Sequence, residues 1–204
     1  MELVNLRAIP IAYERKVYSL SKKELEVIKK TKYRESHEET KGFYLSENVS
    51  LLKNKTLAPL KQFIIKKANE YIRDILEIKD QIYLTQSWST INTTNAFHKP
   101  HSHPNTFISL VYFAQCNSGS LRFYTNTTSI KECFNFHYTL NKFNIYNSQS
   151  WDIPFGTGDI VLFPGHILHG SMPNKSPEPR IIVGANFFIK GKLGSDGQVS
   201  SITL

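Results

Sequence analysis

The stretch FHKPHSHP occupies residues 97–104, and an apolar run at residues 106–113 follows it directly. On an extended backbone, residues two apart point to the same face, so His101 and His103 can bind one ion together. The prolines in this stretch favour such geometry, because a residue that precedes proline is pushed toward extended conformations. The stretch therefore predicts two metal ligands at the rim of a β-sheet.

A second histidine segment, FPGHILHG at residues 163–170, ends another apolar run. We expect its last histidine, His169, to supply a third ligand from a distant strand. Three neutral imidazoles with open positions suit Fe(II), Zn(II), copper or nickel, and the spacing does not choose among them. His98 has the wrong spacing to share a strand face with His101, and His166 is predicted as a turn residue or a group that supports the ligands. His37 and His137 have no metal-binding context.

The region around these segments is predicted to be rich in short strands. After Asp80 a β pattern begins at Ile82, and runs of β-branched and aromatic residues alternate with turn signals. These runs predict strands at residues 106–113, 120–124, 142–146, 159–163 and 180–189. Many short strands at this spacing are typical of a sandwich or barrel.

The first 80 residues carry helical patterns instead. Ser21 to Glu24 forms a capping-box sequence, and the apolar residues of 60–75 recur at helical spacing after Pro59. The predicted fold class is mostly β with N-terminal helices. We expect one domain over residues 1–204, with a helical part at 1–80, a β core at 81–190 and a polar tail at 191–204.

Composition narrows the classes of partner and compartment. The chain has 204 residues and a formal net charge of +8, but its lysines are spread over helix faces, which disfavours nucleic acid as a partner. The two cysteines, Cys116 and Cys133, form no CxxC pair, so a cysteine zinc site is excluded. Without an apolar leader or a membrane span, we expect a cytoplasmic protein with reduced thiols, and a homodimer is compatible with this composition.

Taken in order, the motifs resemble the 2-oxoglutarate/Fe(II)-dependent dioxygenase superfamily, in particular a branch of phage and bacterial oxygenases. The resemblance rests on these segments: Trp88–Asn92, His101–Pro104, Ser109–Phe113, Gly119–Phe123, Phe163–Pro164 with His169, Pro173–Asn174 and Arg180. Each segment alone is weak, whereas the ordered combination is specific and covers most of the chain.

The resemblance implies a double-stranded β-helix, the cupin-like jelly roll, with Fe(II) as metal and 2-oxoglutarate as cosubstrate. It implies His101 and His169 as iron ligands and Arg180 as the anchor of the distal carboxylate of 2-oxoglutarate. The sequence departs from the family where His103 occupies the position of the usual carboxylate ligand, and where Phe113 occupies that of a frequent tyrosine. A small molecule or a peptidyl group is the expected substrate, and no motif identifies it.

Two other classes remain open at this point. A cupin-type metal protein, either an isomerase or a dioxygenase without cosubstrate, shares the barrel, and residues 158–164 with His169 nearly fit its second motif. The glutamate that cupins carry shortly after the first histidine pair is missing from residues 105–108. A non-catalytic β-sandwich interaction module would bind no metal. Metal analysis separates this last class from the other two, and dependence on 2-oxoglutarate separates the oxygenase from the cupin.

Overall fold

In this computed structural model the described residues are 9–36, 38–124, 139–144, 147–194, 199 and 201–204. Their helices and strands, in chain order, are β1 (Ala12–Glu14), α1 (Lys22–Lys30), β2 (Tyr33–Glu35), β3 (Phe43–Ser46), α2 (Ala58–Glu70), β4 (Gln81–Asn92), β5 (Ile108–Gln115), β6 (Ser120–Tyr124), β7 (Ser150–Pro154), β8 (Ile160–Pro164), β9 (His169–Ser171), β10 (Arg180–Lys190), β11 (Lys192–Leu193) and β12 (Ile202–Thr203). Two 3-10 turns, Leu51–Lys53 and Lys55–Leu57, precede α2, and a π-helical turn, Tyr71–Ile75, follows it. No helix within these ranges is long and apolar enough to cross a membrane.

Two antiparallel sheets face each other. The larger has seven strands in the order β1-β8-β5-β10-β4-β3-β2, and the smaller has three in the order β7-β6-β9. Strands that follow one another in the chain often lie in different sheets, as β5 and β6 or β9 and β10 do. The space between the sheets holds the candidate site.

The helices cover the outer face of the larger sheet. The capping box predicted at Ser21 is present: Ser21 Oγ accepts the backbone N–H of Glu24 at 3.3 Å, and the Glu24 carboxylate accepts the N–H of Ser21 at 2.9 Å. The predicted apolar stripe of α2 is also confirmed, since Leu60, Ile64 and Ala68 are fully buried against the sheet.

Strands β5, β8 and β10 are buried on both faces. Along β10, Ile181, Val183 and Ala185 pack with the helices, whereas Ile182 packs toward the smaller sheet. Burial on both sides explains why these strands read as nearly continuous apolar runs rather than as an alternation.

Three regions differ from the prediction. The N-terminal part contains β1, β2 and β3, which lie toward the two edges of the larger sheet; strands of three or four residues carry too little periodicity to be recognised. The tail expected from residue 191 contains a hairpin, in which Gly191 and Leu204 exchange two backbone hydrogen bonds of 2.9 Å. Both regions are ordered by pairing with a second segment.

The strand predicted at 142–146 is wrong over its described part, residues 142–144, and the next strand is β7. Asn147 explains the difference. Its Oδ1 accepts the N–H of Asn144 at 2.8 Å, and its Nδ2 donates to the carbonyl of Lys142 at 3.0 Å. Asparagine stabilises turns through such bonds to nearby backbone, and here they outweigh the β propensity of the flanking residues.

Candidate metal and cosubstrate site

The structure brings the three predicted histidines together between the sheets. His101, His103 and His169 each offer one ring nitrogen, and these nitrogens all lie within 4.8 Å of one another. His169 begins β9 and is buried, with 3% of its surface exposed, while His101 and His103 are half-buried in the segment before β5. Three donors at this separation can bind one ion together.

The main chain fixes this separation. His101 donates its N–H to the carbonyl of His169 at 2.8 Å, and His169 donates its N–H to the carbonyl of His101 at 2.9 Å. The N–H of His103 donates to the carbonyl of Gly165 at 2.9 Å. The HxH segment is thus held against the segment that carries the third histidine, in the extended geometry that its prolines favour.

Two of the rings have a defined tautomer. Nδ1 of His101 lies 2.8 Å from the carbonyl oxygen of Lys99, and Nδ1 of His169 lies 2.9 Å from that of Ile167. A carbonyl only accepts, so each Nδ1 carries the proton and each Nε2 keeps a free lone pair. A neutral imidazole with a free Nε2 is the form that binds divalent transition metals.

Burial keeps the rings neutral. Burial, followed by the charge of neighbouring histidines, lowers the pKa of His169 to about 3, although the carbonyl of Ile167 raises it, and that of His103 to about 4. Burial also lowers the pKa of His101, against the carbonyl of Lys99 and the charge of Glu39, which raise it. Protons therefore compete weakly with a metal at neutral pH.

His98 lies beside the cluster without joining it. Its ring stacks on that of His101 at a centroid distance of 3.7 Å and packs on Phe43 at 4.6 Å, with Glu39 3.6 Å from its Nε2. Burial, followed by the neighbouring histidines, lowers its pKa to about 2. The expectation that His98 shares no strand face with His101 agrees with this, but its place in the same cavity was missed.

The other histidines lie elsewhere or outside the description. His166 is exposed in the turn after β8, as predicted. His37 and His137 lie outside the described residues, as does Cys133, whereas Cys116 is a buried free thiol.

Arg180 places a buried cation at the same cavity. Only 4% of its surface is exposed, and no carboxylate of the described residues forms an ion pair with it. Arginine stays charged in proteins, and an unpaired buried charge is costly, so this guanidinium suits an anionic ligand. Gly119 makes room for it: with φ at +110°, a Cβ there would lie 2.4 Å from Nη1 of Arg180.

Ser171 contributes a second polar group that the sequence reasoning missed. Its Oγ accepts the backbone N–H of His98 and a guanidinium N–H of Arg180, each at 2.8 Å, with the amide of Asn92 at 3.5 Å. All three partners are donors, so the hydroxyl hydrogen of Ser171 is left to donate to a ligand in the cavity. Its position two residues after His169, on the same face of β9, was the available signal.

The remaining walls are largely apolar. The cavity is lined by Trp88, Thr90, Asn92, His98, His101, His103, Val111, Phe113, Leu121, His169, Ser171, Arg180 and Ile182. Phe113, where relatives often carry a tyrosine, stacks on Phe155 at 4.5 Å and offers no hydrogen bond. The cavity therefore joins three neutral nitrogen donors, one cation and a few hydroxyl and amide groups inside apolar walls.

Comparison with known proteins agrees with this arrangement. Residues 86–186 match the sequence model of the family "Putative 2OG-Fe(II) oxygenase". No curated protein matches the chain in sequence.

Solved structures share the fold at low identity. HygX from Streptomyces hygroscopicus, with nickel and 2-oxoglutarate bound, has a TM-score of 0.60 at 9% identity over 88% of this chain and 82% of that chain. The non-heme alpha ketoglutarate dependent epimerase SnoN from nogalamycin biosynthesis has a TM-score of 0.63 at 13% identity over 95% and 84%. A Pseudomonas putida prolyl-4-hydroxylase has a TM-score of 0.55 at 11% identity over 88% and 92%. The predicted double-stranded β-helix is thereby confirmed.

Proposed function

Because residues 86–186 match the 2OG-Fe(II) oxygenase family, we propose that this chain belongs to it and is an oxidoreductase that binds Fe(II) through His101, His103 and His169. Its cosubstrates are 2-oxoglutarate and O₂. The observation that carries the assignment is the cavity itself, where three neutral imidazoles and one buried, unpaired guanidinium face the same space. A cofactor that pairs a divalent cation with a dicarboxylate fits this set.

The ligand set suits iron in its reduced form. Nε2 of His101 and of His169 is free because each Nδ1 is bound to a backbone carbonyl, and three protein donors leave coordination positions for other ligands. When bound, Fe(II) supplies the redox chemistry by which O₂ oxidises 2-oxoglutarate and the substrate. The apolar walls formed by Val111, Phe113 and Leu121 exclude water from that chemistry.

Arg180 and Ser171 hold the cosubstrate at its far end. The planar guanidinium pairs with a carboxylate through two hydrogen bonds, and the Ser171 hydroxyl adds a third donor. Because the ligand histidines are neutral, the site offers no negative charge to repel a dicarboxylate. This charge arrangement orients 2-oxoglutarate before O₂ binds.

The proposal extends to substrate and compartment in general terms. A small molecule or a peptidyl side chain is the proposed substrate, and a homodimer is compatible with the fold. A reducing, cytoplasmic compartment is supported by the buried free thiol of Cys116.

Metal binding tests the histidine assignment. We expect wild-type protein, freed of metal, to bind one Co(II) or Fe(II) per chain, and His169→Ala to lose most of that affinity because one of three donors is removed. His166→Ala, an exposed histidine in the preceding turn, is the matched control and should bind as wild type. The readout is isothermal titration calorimetry under anaerobic conditions. Equal affinity in wild type and His169→Ala would overturn the assignment.

Cosubstrate binding tests the role of Arg180. On the Fe(II) form without O₂, we expect the dissociation constant of 2-oxoglutarate to rise about 100-fold in Arg180→Ala and about tenfold in Arg180→Lys, which keeps the charge but loses the two-pronged contact. Metal content should stay nearly unchanged. Arg122→Ala, on the exposed face of β6, is the control. If wild type binds metal but no 2-oxoglutarate, a cupin-type metal protein without cosubstrate becomes the better assignment.

A further inference from the structure

Two polar side chains are buried within the apolar strands beside the site. Ser109 in β5 and Asn186 in β10 are paired in register and are 1% and 4% exposed. Ser109 donates its hydroxyl to Oδ1 of Asn186 at 2.9 Å. Polar groups buried in a sheet that is apolar on both faces lower stability unless they form hydrogen bonds. Two such groups at adjacent positions therefore suggest a role other than packing.

The amide of Asn186 faces the ring of His103. Nδ2 of Asn186 lies 3.5 Å from Nδ1 of His103. Among the described residues, this amide is the one hydrogen-bonding group that meets the His103 ring. Asn186 therefore occupies a position from which its hydrogen bond can define the tautomer of His103.

Among the described residues, no backbone carbonyl binds the His103 ring in the way that defines the other two rings. His101 and His169 each bind the carbonyl two residues earlier in the chain. For His103 that carbonyl belongs to His101, and it already accepts the N–H of His169. The tautomer of His103 consequently depends on a side chain rather than on the main chain.

The two rotamers of the amide have opposite effects. With Nδ2 toward His103, the ring must accept through Nδ1, and Nε2 then carries the proton and has no lone pair for a metal. A 180° rotation of the amide presents Oδ1 instead, so that Nδ1 donates and Nε2 is free. In that rotamer Nδ2 donates to Ser109 Oγ, so the two side chains stay hydrogen-bonded to each other.

We propose that Asn186, held by Ser109, is a positioning residue that presents Oδ1 to Nδ1 of His103 and thereby makes this histidine a metal ligand. The inference rests on the proposed function and deepens it: the Asn186–Ser109 pair is what allows a neutral imidazole to occupy the position of a carboxylate. A group that orients a ligand in this way typically affects metal affinity 10- to 100-fold.

Metal affinity in five variants provides the first test, with Co(II) titrated into metal-free protein. Asn186→Leu removes the acceptor and should weaken Co(II) binding about 10- to 100-fold. Asn186→Asp offers only acceptors and should bind at least as tightly as wild type. Because the effect acts through His103, the double variant His103→Ala/Asn186→Leu should bind no more weakly than His103→Ala alone. Thr85→Val, which loses a 2.9 Å bond to the Asn186 carbonyl but touches no ring, is the control.

The tautomer itself provides a second readout that needs no metal. In ¹⁵N-histidine NMR spectra of metal-free protein, His103 should carry its proton on Nδ1 in wild type and in Asn186→Asp, and should lose that preference in Asn186→Leu and Ser109→Ala. If Asn186→Leu does not fold, Asn186→Asp and Ser109→Ala still decide the question.

The inference is overturned if His103 carries its proton on Nε2 in wild type, or if the losses of His103→Ala and Asn186→Leu simply add. If His169→Ala abolishes Co(II) binding while His103→Ala and Asn186→Leu leave it intact, only this inference fails. If wild type binds no metal at all, the proposed function fails, and the NMR spectra still test the tautomer.

Discussion

Gly184 is a residue at which the wall of the site has no room for a side chain. It lies in the middle of β10 opposite Trp88, and the indole of Trp88 crosses directly over it. A Cβ at Gly184 would lie 2.5 Å from two carbons of that ring. The ring also packs on His103, with a centroid distance of 5.5 Å, so Gly184 controls how a wall of the cavity meets one of the proposed ligands.

We therefore expect Gly184→Ala to push the Trp88 ring into the cavity. The free energy of unfolding should fall by about 1–3 kcal/mol, as in other overpacked cores, and Co(II) affinity should fall as well. Urea denaturation and calorimetry measure the two effects. Gly156→Ala is the control, because a Cβ there meets its nearest atoms at 3.9 Å. In a Trp88→Ala background Gly184→Ala should cost little further stability; an equal cost in both backgrounds would show that the indole is not the cause.

Among individual residues, the sequence identified those that belong to ordered motifs. It missed those whose role depends on contacts with residues that are distant in the chain. His101, His103 and His169 could be named because spacing and neighbouring strands indicate them, and Arg180 could be named because the family resemblance implies it. Ser171 could not be valued in advance, since its function follows from three donors that converge on one oxygen. The same holds for His98, which a turn at Lys99 and Pro100 brings against His101.

At the scale of elements, Asp159 joins the N-terminal segment to the turn before β8. Its side chain, 4% exposed, accepts Nη1 of Arg15 at 2.7 Å and the backbone N–H groups of Lys16 and Gly156 at 2.9 and 2.8 Å. Burial alone would raise the pKa of this carboxyl, but these hydrogen bonds hold it below its usual value. The ionised form thus ties β1 to the edge of the larger sheet.

The sign of the pH effect follows from that shift. A folded pKa below the unfolded value of about 3.9 means that the unfolded chain binds the proton more readily, so the contribution is present above that pH and is lost as the pH falls through the folded pKa. We expect Asp159→Asn to lower the free energy of unfolding by about 2 kcal/mol at pH 7, with a smaller difference from wild type below pH 4. Urea denaturation at both pH values measures it.

Asp152→Asn is the matched control for this prediction. Asp152 pairs with Arg122 on the exposed face of the smaller sheet, where ion pairs contribute about 0–1 kcal/mol. A loss in Asp159→Asn that stays constant from pH 7 to pH 3.5 would show that the charged carboxylate is not the stabilising form.

The elements themselves differ in how well the sequence predicts them. Helix α2 and strands β5, β6, β8 and β10 were found because burial gives each a distinct apolar pattern. Strands β1, β2, β3 and β9 have only three or four residues each, which is too short for a local pattern to mark them. The turn at Asn147 shows the converse, in which local side-chain bonding overrides a strand-like composition.

For the molecule as a whole, the order of helical and β regions along the chain could be predicted. The predicted boundary near residue 80 between a helical part and a β core does not separate two structural parts. The prediction that helices precede the β core in the chain is correct. However, the N-terminal segments supply three of the seven strands of the larger sheet, and residues from both sides of position 80 share one apolar cluster. Helices and core are therefore expected to unfold together, although the family match spans residues 86–186 alone.

If the chain binds metal as proposed, we expect uptake to need no folding step, because backbone hydrogen bonds of the fold hold the nitrogen donors together. The exchange of backbone hydrogen bonds between His101 and His169 belongs to the antiparallel pairing of the fold and involves no metal. Small domains whose ligands come together only around the ion are unfolded without it, and chelators denature them. In this chain we expect a chelator to remove the metal and leave the fold in place. The available iron, rather than a conformational change, would then determine how much of the protein is loaded.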